Sequence, residues 1–297
     1  MGKPSIRFGY FPDATSMPMK SLKFLPLFFL ALPIFGQDSL EVKQKNMWNH
    51  FTYDMGNVFG GIGHSYTRPL HWEGDDWANL GYMAAGTLLL FTVDGEINDW
   101  TQGFKEDVPD FVMDYGHKYG NPNNNYMLTG GVYLTGLLAK DEKLRRTGVL
   151  LIASASAGGL LQQATKRIFG RARPKAGVGH ATFDPVHLDR VYNYDSFPSG
   201  HAMLAFSNAY AIAKQFDSPW IKGGLYAIGL VPGMVRVVDD FHWFSDVAFS
   251  TVLSIFIVES IDRYLDSKYD EKYGDTPKNV SWNLSFGPNR MGLSLHF

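Results

Sequence analysis

Apolar residues gather into six runs of helical length, separated by polar stretches rich in glycine and proline. The first is Leu80–Val93, with Asp75–Asn79 as its polar start and Asp94-Gly95-Glu96 as its stop. Tyr126–Ala139 follows the turn signal Asn121-Pro122-Asn123-Asn124-Asn125. Lys143–Phe169 carries small residues from Ala153 to Gly159, which allow close helix contact. Then come His201–Gln215, Trp220–Val238 with a kink predicted at Pro232, and His242–Leu265. Between the third and fourth runs, residues 170–197 form a long loop, and long ordered loops are usually functional. Six helices and almost no strand pattern predict an all-α bundle.

The two ends depart from this pattern. Met55–Gly63 is dense in glycine and reads as loop after a short helix, and residues 97–125 are polar. At the other end, Trp282, Leu284 and Phe286 alternate with polar residues, as do Met291, Leu293, Leu295 and Phe297 after a turn at Gly287–Arg290. That alternation predicts a short C-terminal β-hairpin covering the helical core, since two strands cannot close a barrel.

Near the N-terminus, Lys20 and Lys23 precede the apolar run Phe24–Phe35, which ends at Gly36. A basic flank and a short apolar run ending in a small residue predict a secretory signal; two prolines and the short length argue against a span. Residues 1–16 do not resemble a signal, which makes Met17 and Met19 candidate starts. The expected organisation is a signal region at 1–36, a loop-rich segment at 37–78, the helical domain at 79–268 and a tail with the hairpin at 269–297. No run reaches the ~18 continuous apolar residues of a membrane span, so the helices are expected to pack on one another in an exported, periplasmic domain. A compact membrane bundle is the alternative.

Composition narrows the chemistry. The 297 residues carry a formal charge of −2, which gives no argument for a nucleic-acid partner. The absence of cysteine removes disulfides, thiolate metal sites and cysteine nucleophiles. No HExxH or carboxylate-rich cluster suggests an obligatory metal. Aromatic residues make up 15% of the chain; Trp72, Trp77, Trp220 and Trp243 suit either packing or a lipid interface.

Three blocks carry candidate chemistry. Lys166 and Arg173 are seven residues apart; Pro174 pushes Arg173 toward an extended conformation and ends the helix just before it, so that Lys166 points from the last turn, Arg173 leads the loop and both can converge on one point. Arginine suits bidentate phosphate contact and lysine supplies a compact charge. Arg167 and Arg171 read as a basic helix end answering the macrodipole. The second block, Pro198-Ser199-Gly200-His201, is a turn at the mouth of a helix, where unpaired amides hold anions. In the third, His242 and Asp246 are at i and i+4, so the carboxylate can fix the imidazole tautomer and leave the other nitrogen free to attack; Arg236 lies six residues earlier. Asp239 and Asp240 read as solvated loop acids, with substrate gating as the alternative.

In order, spacing and residue type, these blocks resemble the three-part signature of the type 2 phosphatidic acid phosphatase and vanadium haloperoxidase superfamily. The motifs span 166–246, and the helices from about 80 to 265 fit that family's six-helix bundle. The resemblance implies that His242 attacks phosphorus and forms a phosphohistidine, that Asp246 orients it, and that His201 serves as general acid and base. It assigns Lys166, Arg173, Ser199, Gly200 and Arg236 to the phosphate oxygens. One departure is Val235, where the family usually has serine. The implied activity is metal- and cofactor-independent removal of a terminal phosphate from a phosphorylated small molecule, a lipid phosphate or an isoprenoid phosphate, with membrane-surface association. Alternatives are a soluble non-specific periplasmic acid phosphatase and a vanadate-dependent haloperoxidase using the same pocket.

Overall fold

The glycine-rich stretch predicted as loop is a helix. In a computed structural model that describes residues 47–186 and 192–273, plus the backbone of 281–287 and 290–296, α1 spans Met47–Thr67. Its glycines serve contact, not turning. A Cβ on Gly60 would lie 2.1 Å from the Tyr264 hydroxyl, and one on Gly61 would lie 3.0 Å from Ile261. Bare backbone there lets α1 approach its neighbour closely, a gain that outweighs the roughly 1 kcal/mol helix penalty of a glycine.

The elements that follow are α2 (Gly74–Thr92), α3 (Asp94–Gln102), α4 (Asp110–Tyr119), α5 (Pro122–Ala139) and α6 (Glu142–Phe169). After the long loop come α7 (Gly200–Ala213), α8 (Pro219–Val238) and α9 (Phe244–Tyr273). Strands β1 (Ser281–Gly287) and β2 (Arg290–His296) pair antiparallel. The described residues thus hold nine α-helices, and the fold is all-helical apart from this terminal pair. The count exceeds the expected six because the glycine-dense stretch that forms α1 and the polar stretch that forms α3 and α4 carry no apolar run of helical length. In α4 only Gly116, which meets Val235 of α8, is fully buried, while Val112, Met113, Tyr115 and Tyr119 are half-buried on a helix of ten residues set within a polar stretch. Helix α8 continues through Pro232. The expected signal region, 1–36, lies outside the described residues.

The main core lies between α1, α5, α6 and α9. Val58, Tyr133, Leu150, Leu151, Ile261 and Leu265 are among its buried side chains. Each large apolar side chain buried there contributes about 1.5–3 kcal/mol. Glycines keep these crossings tight, as where Gly148 of α6 abuts the Tyr133 backbone of α5. From Leu151, α6 runs roughly 22 Å further to Lys166 at 1.5 Å per residue. The core therefore holds the helix rigidly and delivers its last turn to the other end of the bundle.

The outer faces are unusual. Helix α2 buries only Met83, while Leu89 is 71% exposed. On α5, Leu138 is 68% exposed, and on α8, Trp220 is 71% exposed. Among the described helices α8 and α9 are long and apolar enough to cross a membrane. This corrects the expectation that no run qualifies. The helices extend past the apolar runs, so that α9 reaches 30 residues.

Candidate active site

Helix α6 ends at Gly170, whose left-handed φ of 55° closes the helix as its N–H donates to the Lys166 carbonyl. The chain then runs extended through Arg171–Arg173 and is bonded on both sides. Ala172 N–H donates to Thr182 O and Arg173 N–H to Asn193 O, while Ser196 N–H donates to Arg171 O. This weave pins the loop so that Lys166 and Arg173 face one cavity. The helix thus stops at Phe169, where the apolar run of the sequence also ends, because glycine closes it there.

Helix α7 opens at the same place. Ser199 is its N-cap, its hydroxyl accepting from Ala202 N–H at 3.5 Å, and Ser199 N–H donates to Ser250 Oγ at 2.8 Å. Gly200 lies close to α6: a Cβ there would lie 2.9 Å from the amide nitrogen of the Gln162 side chain. Behind His201, the turn between α4 and α5 presses so closely that a Cβ on Gly120 would lie 2.7 Å from the histidine Cβ. From α8, Arg236 donates to His201 Nε2 at 2.5 Å.

His242 lies just before α9, not on it, held by its N–H to the Arg236 carbonyl at 3.1 Å. Asp246 stands in the first turn of α9 and accepts from Trp243 N–H at 3.0 Å. The predicted direct bond between this pair is replaced by a relay. His242 Nδ1 is 3.8 Å from the carboxylate but only 2.6 Å from the Ser196 carbonyl. A carbonyl can only accept, so Nδ1 carries the proton and Nε2 keeps its lone pair. Ser196 Oγ in turn donates to Asp246 Oδ2 at 2.5 Å.

A cavity of about 330 Å³ is lined by Lys166, Arg173, Gly200, His201, Arg236 and His242, together with Gln162, Tyr192 and Phe241. Six of the eight sequence-selected residues therefore meet around one space. Ser199 and Asp246 stand behind its wall, fully buried. Lys166 Nζ donates to Asp195 O at 2.7 Å, and Arg173 Nε to Tyr192 O at 2.8 Å. Burial, with the neighbouring cation of Arg236, pushes the His201 pKa down to about 3. Burial also pushes His242 down to about 3, against the pull of Asp246. Both imidazoles are therefore neutral in the empty cavity at ordinary pH.

Three side chains behave differently from the sequence reading. Val235 is buried against Gly116 and does not line the cavity. Asp239 accepts from His117 at 2.5 Å and lies 3.5 Å from Lys105, tying the end of α8 to α4. Arg171 is buried among carboxylates, not spent on a helix end. Ser196, the relay residue, was not singled out; its only sequence signal is its place three residues before the capping serine. Trp243 is a packing residue whose indole N–H donates to Ala172 O at 2.7 Å. Among the described residues no group of three or more His, Asp or Glu could hold a metal ion.

Cations from three elements and two neutral imidazoles around one cavity have the charge and hydrogen-bonding groups to hold a tetrahedral oxyanion. Residues 147–265, the segment that carries most of this site, match the family model described as PAP2 superfamily. Relatives include a non-specific acid phosphatase of Providencia stuartii, 31% identical over 91 residues, covering 31% of this chain and 36% of that protein. A lipid A 1-phosphatase of Porphyromonas gingivalis is 29% identical over 183 residues, covering 60% of this chain and 36% of that protein. A lipid A 1-phosphatase of Rhizobium etli is 32% identical over 100 residues, 34% of this chain and 42% of that protein. The chain thus spans between 36% and 42% of the length of these three curated relatives. The solved transmembrane PAP2 type phosphatidylglycerolphosphate phosphatase from Bacillus subtilis is 17% identical, with 78% of this chain and 98% of that chain covered and a TM-score of 0.34, too slight a likeness to carry an argument.

Proposed function

We propose that this chain is a phosphatase that removes a terminal phosphate from a lipid-linked substrate through a phosphohistidine. The observation that carries the reading is the cavity shared by His201 and His242 with Lys166, Arg173 and Arg236 around it. In the proposed reaction His242 Nε2 attacks phosphorus and the bond to the leaving oxygen breaks. His201, which takes up a proton once the substrate anion draws the Arg236 guanidinium off its Nε2, gives that proton to the leaving oxygen. Water then attacks phosphorus, the phosphorus–nitrogen bond breaks with its electron pair returning to His242 Nε2, His201 takes the water's proton, and phosphate leaves. The three cations and the Gly200 amide hold the equatorial oxygens, since phosphoryl transfer is mostly positioning and charge stabilisation. Ser199 supports the geometry by capping α7 and Asp246 by holding Ser196.

The lipid assignment rests on the exposed apolar faces of α2, α5 and α8 and on two helices of spanning length and composition. Apolar surface of that extent, left to water, is costly for a monomer and suits hydrocarbon. Two relatives are named lipid A 1-phosphatases. The reading places the chain in a bacterial envelope membrane, after export directed by the region 1–36.

The test is phosphate release by the detergent-purified chain from phosphatidic acid vesicles and from p-nitrophenyl phosphate, with and without vanadate. We expect turnover of both, faster on the lipid, with vanadate inhibiting as a mimic of the five-coordinate transition state. His242→Ala should lose about 10⁴-fold or more in kcat while its melting temperature stays near that of the parent. Normal turnover by that variant removes the nucleophile. Equal efficiency on the two substrates favours the non-specific acid phosphatase instead.

A further inference from the structure

Behind the cavity wall lies a string of three buried charges. The Arg171 guanidinium, 2% exposed, spends all of its nitrogens on protein acceptors. Nε donates to His180 O at 3.1 Å, Nη1 to Asp246 Oδ1 at 2.6 Å and Ser245 Oγ at 2.8 Å, and Nη2 to Asp94 Oδ2 at 2.7 Å. Three aromatic rings close over it, Phe91 at 4.6 Å, Trp243 at 5.5 Å and Phe183 at 5.9 Å from the guanidinium carbon to the ring centroids. Asp94, at the start of α3, is fully buried and also accepts from Ser245 N–H at 2.9 Å and Ser245 Oγ at 2.5 Å. Two carboxylates thus flank one guanidinium, and the string as a whole carries one excess negative charge. Its nearest exit toward the cavity is Ser196, whose hydroxyl donates to Asp246 and whose carbonyl accepts from His242.

We propose that Asp94 is a positioning residue for phosphoryl transfer: it supplies the counter-charge to Arg171, so that Arg171 can clamp Asp246 in place without cancelling the field that Asp246 exerts on His242. The inference rests on the phosphohistidine reading. Its logic is electrostatic. A buried guanidinium paired with Asp246 alone would neutralise that carboxylate, and in a low-dielectric interior the loss would reach His242. With Asp94 sharing the guanidinium, the string keeps its negative charge, which favours the imidazole as it becomes positive during attack. The counter-charge lies outside the three sequence blocks, whereas the clamp sits inside the first, between Lys166 and Arg173.

The groups that face His242 are Lys166 of α6, Arg173 of the long loop, His201 of α7, Asp246 of α9 and, across the cavity, Arg236 of α8. None of them is altered by Asp94→Asn, which leaves Arg171 drawing on Asp246 alone. We expect kcat on p-nitrophenyl phosphate to fall about 10- to 100-fold, as when an outer partner of a working histidine is lost, with KM within about twofold. The acid limb of the kcat profile should move to lower pH by roughly 0.5–1 unit, because removing a nearby negative charge disfavours the imidazolium. Asp94→Glu, which keeps the charge, should return the limb to its parent position even where the longer side chain lowers the melting temperature. Rates are to be taken per folded molecule. An Asp94→Asn variant with parent kcat and limb overturns the proposal. So does a loss in both variants with the limb unmoved, which reduces Asp94 to packing. His242→Ala assayed alongside separates the two levels: activity there sinks the nucleophile, whatever Asp94 does.

Discussion

Helix α6 carries a buried cation near each end, and the two are answered in opposite ways. At its N-terminal end Arg145 lies 2.6 Å from Asp54, whose carboxylate also accepts from Tyr269 at 2.6 Å and Tyr133 at 3.1 Å. Arg145 further donates to Tyr273 at 3.1 Å. This cluster is closed: helices α1, α5, α6 and α9 are tied together around one ion pair. Roughly 30 Å along the same helix, Lys166 is also buried, yet it meets a backbone carbonyl and lines a cavity. The difference teaches how to tell a structural charge from a working one, by what it faces: Arg145 is shut inside a knot of four helices, whereas Lys166 lines a cavity that a ligand can enter.

The comparison can be broken by variants at either end. The largest expected effect is at the closed end. Asp54→Ala strands a buried guanidinium and two tyrosine hydroxyls, and should cost about 3–5 kcal/mol of stability. Denaturant titration in detergent measures it, and the activity per folded molecule should not change; a loss of activity among folded molecules would show that the two ends are coupled. At the open end, Lys166→Ala should cost about 100-fold in kcat, as for loss of one oxyanion donor. It should leave the melting temperature level or raise it, because a cation facing other cations is removed. A melting temperature lowered by as much as in Asp54→Ala would erase the distinction.

The smallest effect is with pH. His201 and His242 are held near 3 when folded, against an ordinary value near 6.5. The unfolded chain therefore binds more protons as pH falls below 6.5, so these two groups stabilise the fold above that value and lose their contribution between about 6.5 and 3. Melting curves across that window should show the decline in the parent and a shallower one in His242→Ala.

How much of this was legible in the chain depended on whether a signal was local. The three motif blocks are local, and Lys166, Arg173, Gly200, His201, Arg236 and His242 meet as their spacing implied. The links behind them are not local. Arg171 looked like a helix-end charge because it sits one residue past the Gly170 stop; only the ladder to residues 182–184 turns it inward, toward an aspartate 77 positions away in sequence. The Asp246 contact was misassigned for a related reason. Spacing of i and i+4 assumes one helix, and α9 begins after His242. Helix α1 was missed because glycine carries two meanings, and only the presence of Tyr264 opposite Gly60 decides between them.

The bond from Arg236 to His201 has a consequence for the resting molecule. A ring nitrogen whose lone pair accepts from a guanidinium cannot also hold a proton. In the proposed reaction, a phosphate that drew this guanidinium to itself would free the nitrogen and favour its protonation in one event, so that the acid would be loaded by the substrate.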